Sequence, residues 1–227
     1  MHVGDGPDPP PFIFDNIEVK FVPTFNYLGS TISQTGDLVP EINRRRGIAA
    51  GVMSSLDEPL WKRRAVSRQT KLRVYNASVM SILMYGSESW ALNHTLAARL
   101  NGFDSRSLRK IERIHWTDRV TNVELRERTQ QPPASAVAAQ RRIRWLGHIL
   151  RLPLDHPTRA IHDFNPVAAG WRRPRGAPRT RWGDVVRNDL QSCGIDAVDA
   201  PALAQDRRRW REITHLVGST HSDVHEN

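Results

Sequence analysis

The sequence predicts a mainly α-helical fold with a short β-hairpin or ribbon at its N-terminal end. Between residues 12 and 33 the apolar residues come in short runs broken by turn formers. From Pro40 onward they recur instead at three- and four-residue steps, the period of a helix with one buried face. The periodic stretches stop at Gly86, at Pro132-Pro133, at Pro153 and at Gly194, where glycine or proline is a natural helix stop.

In chain order, residues 1–11 are Gly/Asp/Pro-rich and are expected to be irregular or disordered. Phe12–Phe14 and Ile17–Val22 flank Asp15-Asn16, a two-residue turn candidate. Phe25–Leu28, Gly29 and Ser30–Ser33 form a third and fourth run, with Phe25 and Leu28 expected in the core. An isolated hairpin is marginal in water, so this ribbon needs something to pack on. Ile42, Ile48, Val52 and Leu56 are loosely helical, weakened by Gly47 and Gly51. Ser67–Tyr85 is the clearest helix, with Leu72, Tyr75, Val79 and Leu83 inward and Lys71, Arg73 and Asn76 on other faces. Thr95–Ile114 follows, and then a short helix to Thr129 announced by the capping box Thr121-Asn-Val-Glu124. Ala134–Leu152 is the next helix. Residues 153–182 hold five prolines and little periodicity, and read as an extended, Arg/Pro-rich basic linker. Helices near Gly183–Cys193 and Pro201–Val217 complete the chain.

Charge is unevenly placed. The 227 residues carry a formal +9, distributed as −4 over 1–40, +8 over 41–131, +8 over 132–182 and −3 over 183–227. Of the 33 cations, 29 are arginine, whose planar fork matches phosphate oxygens bidentately. A basic middle between acidic ends is the footprint of a polyanion binder, although solvated helix faces rich in arginine would give the same composition. The single cysteine, Cys193, excludes an intramolecular disulfide framework and points to a reducing, intracellular setting, cytoplasm or nucleus. No secretory leader is expected from Met1–Pro7, and the longest apolar run, Val79–Tyr85, is far short of the ~20 residues of a membrane span. No membrane partner is expected.

The familiar catalytic patterns are missing: no G-x-G-x-x-G, no P-loop, no G-x-S-x-G and no H-E-x-x-H. His148, His156 and His162 share a neighbourhood, but their spacing fits no single helical face. Asp184 with Asp189 and Asp196 with Asp199 are the nearest acidic pairs for two-metal chemistry, and capping and solubility account for them better. No catalytic residue and no metal ligand is assigned. The basic clusters are more informative. Arg44-Arg45-Arg46, Lys62-Arg63-Arg64 and Arg141-Arg142-Ile-Arg144 punctuate helices, and Arg172, Arg173, Arg175, Arg179 and Arg181 lie between Trp171 and Trp182. These arginines and Lys62 are the candidate contacts to a nucleic-acid backbone. The two tryptophans serve better as anchors of the linker than as stacking platforms.

Read in order, several motifs resemble one family. Phe25-Asn-Tyr-Leu-Gly-Ser-Thr-Ile-Ser33, Gly36-Asp37 and Glu41-Ile-Asn-Arg-Arg45 are similar to the end of the palm and start of the thumb in reverse transcriptases of non-LTR, LINE-type (RTE-like) retrotransposons. Thr70-Lys-Leu-Arg-Val-Tyr75 and Leu83-Met-Tyr-Gly-Ser-Glu-Ser-Trp90 resemble the thumb pattern of that family. Leu108-Arg-Lys-Ile111, Trp116-Thr-Asp-Arg119, Arg144-Trp-Leu-Gly-His148, Arg151-Leu-Pro153, Arg175-Gly-Ala-Pro-Arg179 and Asp206-Arg-Arg-Arg-Trp-Arg211 follow colinearly. The resemblance covers roughly residues 12–215. It implies a β-ribbon plus thumb-like helical region over 12–131 and a basic helical tail over 132–227. It also implies a primer-grip-like role for Phe25, Tyr27, Leu28 and Gly29.

The departure from the family matters as much. Its catalytic Asp-Asp pair has no counterpart, since the chain contains no Asp-Asp dipeptide, and the fingers and most of the palm have none either. The resemblance therefore implies a C-terminal fragment of an endonuclease–reverse transcriptase, inactive alone, for which Mg²⁺ belongs only to the intact enzyme. Its expected partners are RNA or DNA backbone and the missing palm and fingers. Three alternatives stay open: a helical module that binds an acidic protein, a decayed copy without function, and an enzyme whose site has an unfamiliar form.

Overall fold

A computed structural model describes residue 10, residues 12–164 and residues 180–224, with side chains described as far as residue 217. The rest of the leader and most of the Arg-rich stretch, 165–179, lie outside the described residues. The chain is mainly helical with short β ribbons near its N-terminal end, as the periodicity predicts. It forms two compact units that interleave in sequence: one from residues 1–86 and 106–114, the other from 87–105 and 115–227.

The first unit opens with two separate two-stranded hairpins. Strands β1 (Phe12–Phe14) and β2 (Ile17–Val19) pair antiparallel with Phe14 opposite Ile17. Asp15 and Asn16 take positive φ of 51° and 60°, the backbone of the tight turn whose twist matches two antiparallel strands. Strands β3 (Thr24–Tyr27) and β4 (Ser30–Ser33) close with Tyr27 opposite Ser30. There Leu28 and Gly29 repeat the positive-φ pair at 46° and 82°. Leu28 carries a side chain in a region that costs a branched residue energy, so something must hold the turn.

Helix α1 (Val39–Ser55) has Pro40 and Glu41 in its first turn, where a missing N–H is harmless and a negative charge is favourable. Its buried stripe is Ile42, Arg45, Ala49 and Met53, and Ile48 is exposed. The apolar pattern looked loose because an arginine occupies a core-facing position. A π-helical turn, Asp57–Trp61, leads to α2 (Arg68–Val74), a second π turn (Tyr75–Met80) and α3 (Ser81–Leu83). Ser67 caps α2 by accepting the Thr70 N–H at 3.2 Å. The predicted inward residues Leu72, Tyr75, Val79 and Leu83 are all buried. Lys71 is buried too, contrary to expectation, with Nζ donating to the Trp61 carbonyl at 2.9 Å. Burial pushes its pKa down, helped by the nearby Arg113 charge.

Helix α4 (His94–Glu112) runs without interruption through Gly102, its final turns belonging to the first unit and the remainder to the second. In the first unit those turns supply Lys110 to Asp57 at 3.0 Å and Glu112 to Arg68 at 2.9 Å.

In the second unit, α5 (Asn122–Thr129) starts at the predicted capping box: Glu124 N–H donates to Thr121 Oγ1, and Thr121 N–H to Glu124 Oε2. Helix α6 (Ala134–Leu150) begins after Pro133. The expected extended linker contains a helix, α7 (Pro157–Asp163), whose start His156 caps by accepting the Thr158 N–H. Helix α8 (Trp182–Gln191) is closed by Gly194 at φ 71°, with the Ile195 N–H returning to the Leu190 carbonyl. The last predicted helix is split into α9 (Ala200–Leu203) and α10 (Arg207–Val224). Asp206 restarts it, its Oδ1 accepting the N–H groups of Arg208 and Arg209. Ile143, Leu146 and Leu150 from α6, Val186 and Leu190 from α8, and Trp210, Ile213 and Val217 from α10 make the core.

Candidate nucleic-acid interface

Within the first unit, the motif residues of the N-terminal third meet in one polar network. The Glu41 carboxylate is buried and accepts the Thr31 N–H at 2.8 Å and Arg45 Nε at 2.7 Å. Arg44 and Arg45 both donate to the Gly29 carbonyl. The Tyr85 hydroxyl donates to the Leu28 carbonyl at 2.9 Å, and the Arg45 guanidinium lies 4.3 Å from the centre of the Tyr85 ring. The hairpin turn is thereby pinned by its carbonyls, which supplies the restraint that positive φ at Leu28 requires. Gly29 faces the Tyr85 ring, with room there for ordinary contact.

This arrangement inverts the expected burial. Phe25 is 52 % and Leu28 77 % exposed, not packed in the core, because the turn is held through backbone oxygens and leaves its side chains outward. Tyr27 is likewise exposed. Arg45 is buried against Glu41, and Arg44 is divided between Glu41 at 3.6 Å and the turn. Arg46 is half-buried. Lys62 is exposed but paired with Glu58, while Arg63 and Arg64 are exposed.

In the second unit, Arg142 is buried, its Nε and Nη2 gripping both oxygens of Asp189 at 2.8 and 3.1 Å. Arg141 is half-buried, and burial pulls its guanidinium below the ordinary pKa. Arg144 is exposed, and Arg181 stands exposed at the start of α8. Arg172, Arg173, Arg175 and Arg179 lie outside the described residues.

Around Arg144 the structure assembles a site that the sequence reading did not pick out. Arg144 and His148 on α6, with Arg151 just past its end, face Arg207, Arg211 and His215 on α10 across a cleft of about 590 Å³. Among the described residues, no carboxylate lines it. Steps of four and three from Arg144 to Arg151, at the end of α6, and of four and four on α10 put each set along one side of its helix. Burial lowers the pKa of Arg151, and the like charge of Arg207 lowers it further. Arg151 also donates to the Ala204 carbonyl at 2.9 Å, so its position is set by the fold. The floor is equally fixed. Trp210 is buried, its indole N–H donates to the Ile143 carbonyl at 2.9 Å, and its ring lies directly over Gly147. Four guanidinium groups line one cleft with no carboxylate among its described lining residues, an arrangement suited to an anion.

A second recess lies on the next face of α6. Trp145, Ile149, Ile161, His162 and Trp182 line a mostly apolar groove of about 390 Å³. Trp145 stacks on His148 with ring centres 5.1 Å apart, and the Trp182 indole N–H donates to the Glu88 carbonyl at 2.7 Å.

The three neighbouring histidines have separate tasks: His148 stacks on Trp145, His156 caps α7 and His162 meets Asp163 at 2.7 Å. Three of the four acids considered for metal chemistry have partners in the structure. Asp189 holds Arg142, Asp184 meets Arg187 at 3.2 Å and Asp196 accepts the Val198 N–H. No helix among the described residues is long and apolar enough to cross a membrane.

Comparison with known proteins gives one informative likeness. A Caenorhabditis elegans protein described as transposon-derived and otherwise uncharacterized is 25% identical over 199 residues, covering 85% of this chain and 70% of its own. No family model matches the chain, and no solved structure matches it.

Proposed function

We propose that this chain is of transposon origin and acts as a nucleic-acid-binding thumb and tail of a non-LTR retrotransposon reverse transcriptase, without polymerase activity of its own. The likeness to a transposon-derived protein over most of both chains supports the origin. The colinear motifs support the narrower family. One observation carries the binding role: the α6–α10 cleft presents Arg144, Arg151, Arg207 and Arg211 together with no carboxylate among its described lining residues. Exposed Arg63 and Arg64 of the first unit, and the arginines that the sequence places before α8, add to the cationic groups of the chain. Phosphoryl transfer through two metal ions needs converging carboxylates, whereas Asp189 and Asp184 pair with Arg142 and Arg187 and Asp196 accepts the Val198 N–H.

The test is a titration of the full chain with labelled single-stranded RNA and DNA at several salt concentrations. Four phosphate contacts on a single strand correspond to a log–log slope of about −2.8, and Arg144→Gln with Arg211→Gln should lower its magnitude by about 1.4. Binding indifferent to salt, or a double variant with an unchanged slope, refutes the reading.

A second reading has its own observation. Phe12, Ile13, Phe14 and Ile17 on the first hairpin are all exposed, an apolar surface of the kind that meets a protein partner. A palm is the partner that the family resemblance would supply.

A further inference from the structure

A cleft lined by arginines suits any polyanion and does not choose between single and double strands. The neighbouring groove bears on that choice. Arg144 and Trp145 are adjacent in sequence and so lie roughly 100° apart around α6, one opening on the cleft and the other on the groove. His148 lines the cleft and stacks on Trp145, so the two recesses share a wall. The groove falls in the roughly 300–1,000 Å³ range of small-molecule sites. Trp182 is fixed there by its bond to the Glu88 carbonyl and meets His162 edge-on at 6.1 Å. Trp145 remains 37 % exposed and Ile161 77 % exposed, apolar surface beside a cluster of guanidinium groups. A flat, apolar-faced group joined to a phosphate would suit both recesses at once.

We infer that the Trp145–Ile161–Trp182 groove takes an unpaired nucleobase, while the backbone of the same single strand lies in the α6–α10 cleft. This deepens the backbone-binding reading and rests on it. Bases in a duplex are stacked inside the helix, so their faces are not available to such a recess. A single strand offers them freely, and every base has a π face to stack, which makes the preference one for strandedness rather than for sequence.

The experiment uses the full chain and three fluorescent probes: a 12-nucleotide oligo-dT, an abasic strand of equal length and charge, and a blunt duplex. The base-bearing strand is expected to bind roughly tenfold tighter than the abasic one. Trp145→Ala should shrink that ratio to below twofold, and Trp145→Phe should retain most of it. Ile161→Glu, at an exposed position that the core does not use, should also reduce it and guards against a folding artefact at Trp145. Equal binding of base-bearing and abasic strands by the unaltered chain overturns the inference while leaving backbone binding intact. So does a ratio that survives both Trp145→Ala and Ile161→Glu. Failure of every probe to bind overturns the underlying reading as well.

Discussion

Gly147→Ala isolates the contact that holds the basic cleft in shape. In an ordinary exposed helix this exchange stabilises by about 0.8–1.0 kcal/mol, because alanine is the better helix former. Here a Cβ at residue 147 would sit 2.0 Å from Nε1 of Trp210, 2.4 Å from its Cδ1 and 2.7 Å from its Cε2. No side chain tolerates such overlap, and the obstacle is a buried indole, not a flexible tip. Displacing the ring costs about 1–3 kcal/mol as overpacking. Losing its hydrogen bond to the Ile143 carbonyl leaves buried polar groups unpaired, for about 1–3 kcal/mol more. Against the helical gain, the net prediction is a loss of about 3 kcal/mol, roughly 6–12 °C in the melting temperature of that unit. Thermal and urea denaturation followed by far-ultraviolet circular dichroism would measure it. The decisive comparison is the same exchange in a Trp210→Ala background, where the obstacle is gone and Gly147→Ala should become neutral or stabilising. A stable Gly147→Ala single variant, or the same loss in both backgrounds, refutes the argument.

Other outcomes follow from the same structure. Asp189→Ala leaves the Arg142 guanidinium buried without its partner and should destabilise by about 3–5 kcal/mol, whereas Arg142→Met with Asp189→Leu should recover much of that in a chemical melt. Tyr85→Phe removes the donor to the Leu28 carbonyl and should cost about 0.5–1.5 kcal/mol, seen as faster amide exchange in the β3–β4 hairpin. The carboxyls of Asp57 and Asp163 are held below their ordinary value of 3.8. For Asp57 the cause is first the hydrogen bond from Lys110. For Asp163, burial opposes the shift and hydrogen bonds from Arg159 and His162 outweigh it. Depressed carboxyls contribute stability that is complete above pH ~4 and disappears as pH falls through their folded values. Melting temperatures should therefore decline from pH ~4 downward, and less steeply in Asp57→Asn with Asp163→Asn.

Local chemistry was legible in the sequence, and partnership was not. Asp15-Asn16 and Thr121–Glu124 declare a turn and a cap because each acts within a few residues of itself. Leu72, Tyr75, Val79 and Leu83 declare a buried face because helical spacing is also local. Arg45 and Arg142 read as exposed cations because the four-residue step from Glu41 to Arg45 allows an ion pair on any helical face without saying that it is buried, and Asp189, 47 residues on from Arg142, leaves no mark on the spacing. Lys71 looked solvent-facing because nothing near it in sequence says that the Trp61 carbonyl lies over it. The cleft was half legible. Arg144, His148 and Arg151 share a face by spacing, as do Arg207, Arg211 and His215, but only the packing of α10 on α6 sets the two rows opposite each other. Gly147 is silent in the sequence, since its meaning lies in an indole from another helix.

The interleaving of the two units has a practical consequence for anyone dissecting this polypeptide. A piece ending at Gly86 would forfeit Leu108 and Ile111 from its interior and strand Asp57 and Arg68 without Lys110 and Glu112. A piece beginning at Ser87 would carry those same turns with nothing of their own unit to rest on. Neither half can be had by a single cut, and a clone meant to isolate one of them must import a short graft from the other.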